Sequence, residues 1–91
     1  MLKITTSLAD AQTILELEGR LSGPWVEELR LCWERASGAG RSIKAVLKQV
    51  TFIDGAGKRL LEEMHRSGAV LTAEGCMTKA IVEEIIEGTN I

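Results

Sequence analysis

With 91 residues the chain has room for one domain and no second, and a hydrophobic fraction of 45% supplies the apolar side chains that so small a core needs. Eleven basic and thirteen acidic residues leave a formal net charge of −2, which excludes the strongly basic footprint of a nucleic-acid binder. The bases gather between Arg30 and Arg66, but they alternate with acids and have few aromatics for company, so a solvated charge mosaic is expected there and no nucleic-acid partner.

The segment Leu2 to Ser7 alternates Leu2, Ile4 and Thr6 with Lys3, Thr5 and Ser7, the pattern of a half-buried strand, and Leu8-Ala9-Asp10-Ala11 reads as a short turn. Thr13 to Glu18 sets Leu15 and Leu17 against Glu16 and Glu18 and stops at Gly19, so a hairpin of two antiparallel strands is expected. Ser22-Gly23-Pro24 then offers a capping hydroxyl or glycine before a proline preorganised for the first helical turn. The helix it opens carries Trp25, Val26, Leu29, Cys32, Trp33 and Ala36 on its apolar stripe and ends at Gly38-Ala39-Gly40. Both tryptophans are expected in packing roles.

Ile43 to Leu47 reads as a short strand, and Val50 to Ile53 as a second apolar stretch beyond Lys48-Gln49. Asp54 is an N-cap candidate for a helix that turns Leu60, Leu61 and Met64 inward and ends at Gly68. Ala69 to Ala73 is the next strand, and a last helix starts at about Met77 or Thr78 with Ile81, Val82, Ile85 and Ile86 apolar. The order β-β-α-β-α-β-α predicts an α/β fold: one small mixed sheet with flanking helices, its later strands parallel under right-handed crossovers.

The candidates for chemistry are few. His65 has no nucleophile or carboxylate set beside it as a catalytic partner and is expected on a solvated helix face. Cys32 and Cys76 lack the spacing of a zinc site or redox motif and read as buried, reduced thiols. Asp54 lacks a second carboxylate, and Gly19, Gly55 and Gly57 are too scattered for a dinucleotide fingerprint. No catalytic residue, cofactor or metal is therefore expected. Met1 to Thr6 lacks the basic-then-apolar pattern of a leader, and no apolar run approaches the ~18 residues of a membrane span. The expectation is a cytoplasmic protein without direct membrane insertion, small and apolar enough to keep some surface for a partner or a second copy.

The most informative segment is Val50-Thr51-Phe52-Ile53-Asp54-Gly55-Ala56-Gly57, where an acidic cap precedes three tiny residues and then Leu60-Leu61. It resembles the signature of the STAS domain of the anti-sigma-factor-antagonist type, in which an Asp-Ser-Ser-Gly tetrad or a similar one opens the helix after the third strand. Leu17-Glu18-Gly19-Arg20-Leu21-Ser22 is similar to the family's turn before its first helix, and Arg66 to Leu71 to its helix-to-strand link, so the resemblance spans nearly the whole chain. It implies a docking module that, in bacteria, binds an anti-sigma factor with a kinase-like ATP-binding fold and so regulates transcription by freeing a sigma factor. The surface implied is Asp54, Gly55, Ala56, Gly57, Lys58 and Arg59, with Arg20 and Ser22 nearby. Ala56 stands at the position matching the family's phosphoserine, so neither it nor Gly55 carries a hydroxyl for a kinase. The chain also lacks an acid in Arg20-Leu21-Ser22 and an Asp in Val46-Leu47-Lys48. The alternative that the same fold implies is a STAS subunit of a phospholipid-trafficking ABC transporter, docking on its ATPase.

Overall fold

The computed structural model describes residues 1–38 and 40–89, the side chains of residues 76, 77 and 89 excepted. Four strands and three helices follow one another as β1 (Leu2–Ala9), β2 (Gln12–Leu21), α1 (Pro24–Ser37), β3 (Ser42–Ile53), α2 (Gly55–Arg66), β4 (Val70–Ala73) and α3 (Cys76–Thr89). The sheet order is β1-β2-β3-β4, with β1 antiparallel to β2 and the other pairs parallel. This is the mixed α/β sheet that the sequence predicts.

The topology explains where the core lies. From β2 to β3 to β4 the chain steps across the sheet in one direction, and right-handed crossovers then place α1 and α2 on the same face. α3 joins them, since Val82 and Ile85 belong to the same buried cluster as Leu15, Leu17, Leu47, Leu60 and Leu61. Among the described residues the opposite face has no helix over it, and it carries the other half of the alternation, among them Ile14, Glu16, Lys44 and Val46. Three helices over four strands leave β1 without a helix of its own. Among the described residues, no helix is long and apolar enough to cross a membrane.

Several boundaries differ from the sequence expectation for local reasons. β2 does not stop at Gly19 but runs on to Leu21, because Gly19, Arg20 and Leu21 still pair with Val50, Phe52 and Ile53 of β3. β1 continues through Leu8 and Ala9, because Ala9 pairs with Gln12 and the hairpin loop is only Asp10-Ala11. Asp10 takes the positive φ, 44°, that two-residue hairpin loops favour. β3 is one unbroken strand where two stretches were expected. Its pairing with β2 skips Lys48 and then Thr51, so Leu47, Val50 and Ile53 turn inward at three-residue intervals. Two bulges thus re-aim the end of the strand. α3 begins at Cys76, ahead of Met77 or Thr78, and the Thr78 hydroxyl donates to the Val50 carbonyl at 3.0 Å beneath its first turn.

The helices follow their apolar stripes. α2 turns Leu60, Leu61 and Met64 fully inward, each burial contributing roughly 1.5–3 kcal/mol. α1 buries Val26 and Leu29, while Trp25, Trp33 and Ala36 pack half-buried against the cluster, as expected of the tryptophans. Its glycine stop is seen only at Gly38 and Gly40, Ala39 lying outside the described residues. Cys32 corrects the expectation of a buried thiol: it is half-buried and free, because its turn of α1 faces the strand that no helix covers. The burial expected of Cys76 concerns a side chain outside the described residues. His65 is also less exposed than predicted; its residue is half-buried, and Nδ1 is shielded without a hydrogen-bond partner among the described residues.

Candidate docking end of the sheet

The carboxyl ends of β2 and β3 lie side by side, and both strands run into helices there. Asp54 organises this end. Its Oδ1 accepts a hydrogen bond from the Gly57 N–H at 2.7 Å, the N-cap bond that its position before α2 predicts. Its Oδ2 accepts from the Gly23 N–H at 3.0 Å, at the start of α1, 31 residues earlier in the chain. Gly23 caps α1 with no side-chain bond of its own, so one carboxylate serves the starts of two helices. The Asp54 N–H donates to the Leu21 carbonyl at 3.1 Å and closes the same junction. The hydrogen bonds from Gly57 and then Gly23, helped by the charge of Arg59, hold the Asp54 carboxyl below its ordinary pKa of 3.8.

The three small residues after Asp54 do different things. Gly57 is buried, and a Cβ there would lie 2.8 Å from the Leu21 carbonyl oxygen and 3.0 Å from Leu21 Cγ. Only glycine lets the first turn of α2 settle against β2. A Cβ at Gly55 would meet nothing within 4 Å, and Ala56 is exposed. The accessible part of the turn is therefore a backbone-and-methyl surface.

Around it, the structure brings all eight site residues of the sequence reading to one end of the sheet, with unequal access. Gly55, Ala56, Arg59 and Arg20 are exposed, whereas Ser22, Asp54 and Lys58 are half-buried and Gly57 is covered. Lys58 bonds and pairs with Glu84 of α3, and that hydrogen bond raises its pKa above the ordinary value. Its charge is thus already engaged within the chain. Arg20 lies over the Phe52 ring, 4.9 Å from the centroid, within cation–π range.

Phe52 is the residue that sequence reasoning missed. It is 46% exposed, although an apolar residue next to Ile53 at a strand end reads as core. The bulge at Thr51 sets Phe52 opposite Arg20 and turns it outward with that residue. The Gly23 bond to Asp54 also had no local signature, because its partners are joined only by the pairing of β2 with β3. Comparison with known proteins finds no family model and no curated protein that matches this chain.

Proposed function

We propose that the protein is a non-catalytic docking module resembling STAS-type anti-sigma-factor antagonists, and that it binds a regulatory partner through the first turn of α2. The observation that carries this reading is the contrast within that turn. Asp54 and Gly57 hold it rigidly, while Gly55 and Ala56 leave its outer surface free of bulky side chains. A preorganised, unobstructed surface suits a partner that approaches backbone closely, since little ordering remains to be done on binding. Arg59, Arg20 and Phe52 give the surroundings charge and an aromatic face, residue types that serve as anchors in interfaces. With no hydroxyl at Gly55 or Ala56, this docking is constitutive with respect to a kinase acting at those positions.

The test is Ala56→Asp. A carboxylate in the first turn lies favourably toward the positive helix end, so the isolated domain should be unchanged or gain about 0.3–1 kcal/mol. Docking would instead bury an unpaired charge, and affinity should fall by orders of magnitude. Calorimetric titration of both forms against kinase-like anti-sigma factors of the source organism is the measurement, with transporter ATPases as the second arm. Equal affinity of a folded Ala56→Asp protein for its partner would overturn the interface. Binding to an ATPase alone would replace the anti-sigma reading with the transporter one.

A further inference from the structure

The two edges of the sheet are finished differently. At one edge, β4 has 4 residues and lies between Gly68 and Gly75, whose positive φ values of 101° and 97° turn the chain away on either side. At the other, β1 runs for 8 residues, and among the described residues β2 is its only neighbouring strand. Its pairing with β2 is unbroken from Leu2 to Ala9, so no bulge twists it aside. It holds no proline and a single charge, Lys3. Short length, proline, bulges and charge are the devices that keep edge strands from pairing with other chains. β4 has the first of them, whereas β1 is long, regular and almost uncharged.

The backbone shows what this edge offers. The Arg20 N–H donates to the Met1 carbonyl at 2.9 Å, and antiparallel ladders alternate, so Lys3, Thr5, Ser7 and Ala9 turn their N–H and C=O groups toward β2. Leu2, Ile4, Thr6 and Leu8 turn theirs outward, away from the sheet. The occupant of such an edge is an extended strand, because that conformation repeats N–H and C=O groups at the same spacing. A second β1, running antiparallel, meets all the outward groups in one register: Leu2 opposite Leu8, Ile4 opposite Thr6, and the two Thr5 residues facing each other on the open face. Sliding the register toward the N-terminus leaves Leu8 of each copy unpaired, and sliding it the other way leaves Leu2. The full register also sets Leu8, 68% exposed, beside Leu2 of the second copy, which is 5% exposed and belongs to the core. Lys3 meets Ser7 across the joint, so no like charges are opposed.

We infer that β1 is the homodimer edge of this protein: two copies join antiparallel through Leu2 to Leu8 about a two-fold axis at Thr5, and the sheet continues across the joint. The axis stands perpendicular to the sheet, so both helix layers lie on the same side. The two β1 strands sit at the ordinary strand spacing of about 4.8 Å, which keeps the sheets edge to edge without overlap. The strand left without a helix in each copy separates the two α1 helices. Pairing β1 with β4 of another copy would match 8 residues with 4 and repeat head to tail without closing, whereas β1 with β1 closes at two copies. The contact is one strand wide, so the dimer belongs to the weak, concentration-dependent class. No residue of the α2 turn takes part, and the inference is independent of what the docking end binds.

Strand pairing protects particular amides, so hydrogen exchange read residue by residue by NMR is the test. Between tens of micromolar and millimolar protein, the amides of Ile4, Thr6 and Leu8 should pass from fast to slowed exchange, while those of Thr5 and Ser7 are protected at both. Sedimentation velocity over the same range should show a reversible monomer–dimer equilibrium. Thr6→Pro removes an outward N–H and fills its place with a ring, without touching a bond to β2. It acts twice in the dimer and should weaken self-association by about tenfold or more. Leu8→Lys, at an exposed position, sets an ammonium beside Leu2 of the second copy and should weaken association likewise, which carries the test even where the proline unfolds the strand. Circular dichroism establishes that each variant is folded. A wild type that stays monomeric at millimolar concentration would overturn the inference. So would a dimer in which Ile4, Thr6 and Leu8 exchange as fast as in the monomer, or folded variants that associate undiminished.

Discussion

Helices α1 and α2 begin at the same carboxylate and pack on the same sheet, yet they end up with different amounts of free surface. α2 lies between α1 and α3 and turns Leu60, Leu61 and Met64 entirely out of solvent. α1 has α2 on one side and nothing over β1 on the other, so Leu31 stays exposed and Cys32 half-covered. The difference comes from position in the layer more than from composition, because both helices carry enough apolar residues to form a stripe. In a two-layer fold with fewer helices than strands, the central helix is committed to stability, and the edge helix keeps apolar surface in reserve.

Truncating each helix at its apolar stripe is the strongest way to break this comparison. Leu60→Ala should cost about 3 kcal/mol or more, the usual range for a fully buried leucine that leaves a cavity. Leu31→Ala should cost the folded monomer only about 0.5 kcal/mol or less, as surface substitutions do. Urea denaturation at low protein concentration measures both, and a similar loss at the two positions would show that α1 is as embedded as α2.

Two glycines in the first turn of α2 sharpen the comparison at shorter range. Gly57→Ala forces a methyl against the Leu21 carbonyl, 2.8 Å away, and should destabilise by about 1–3 kcal/mol. Gly55→Ala meets open space and should be neutral or stabilising by up to about 1 kcal/mol, through the higher helix propensity of alanine. Thermal melts of the two variants should therefore move in opposite directions or differ by several degrees.

The smallest effect is a dependence on pH. The pKa of Asp54 is lower in the folded chain than its ordinary value of 3.8, so its contribution to stability is present above that ordinary value. The contribution is lost as pH falls through the lowered folded value. Asp54→Asn keeps one acceptor oxygen and removes the titration. Its melting temperature should decline less steeply than that of the wild type on acidification below about pH 4. Parallel declines would show that the two N–H groups do not depend on the charge.

The element order, the helix faces and the cap at Asp54 were legible because they are local: alternation, three- and four-residue steps, and an acid before small residues are properties of neighbours in the chain. What escaped depended on pairing between distant segments. Cys32 falls on an apolar stripe by spacing, but its exposure is decided by whether a helix covers β1. Phe52 reads as core by alternation until the bulge at Thr51 shifts the phase, and a bulge is defined only against the partner strand. The α2 turn could be singled out as a site from its residue types, while its attachment to Gly23 could not.

The double use of Asp54 bears on how the protein is made. During synthesis the residues of α1 leave the ribosome well before Asp54 does, so the first turn of α1 emerges without the acceptor that Gly23 has in the finished protein. The nascent segment can explore helical conformations, but the native anchorage of its start must await a residue 31 positions downstream. By then the whole of β3 has been made. The native cap of the first helix is thereby supplied from beyond the third strand.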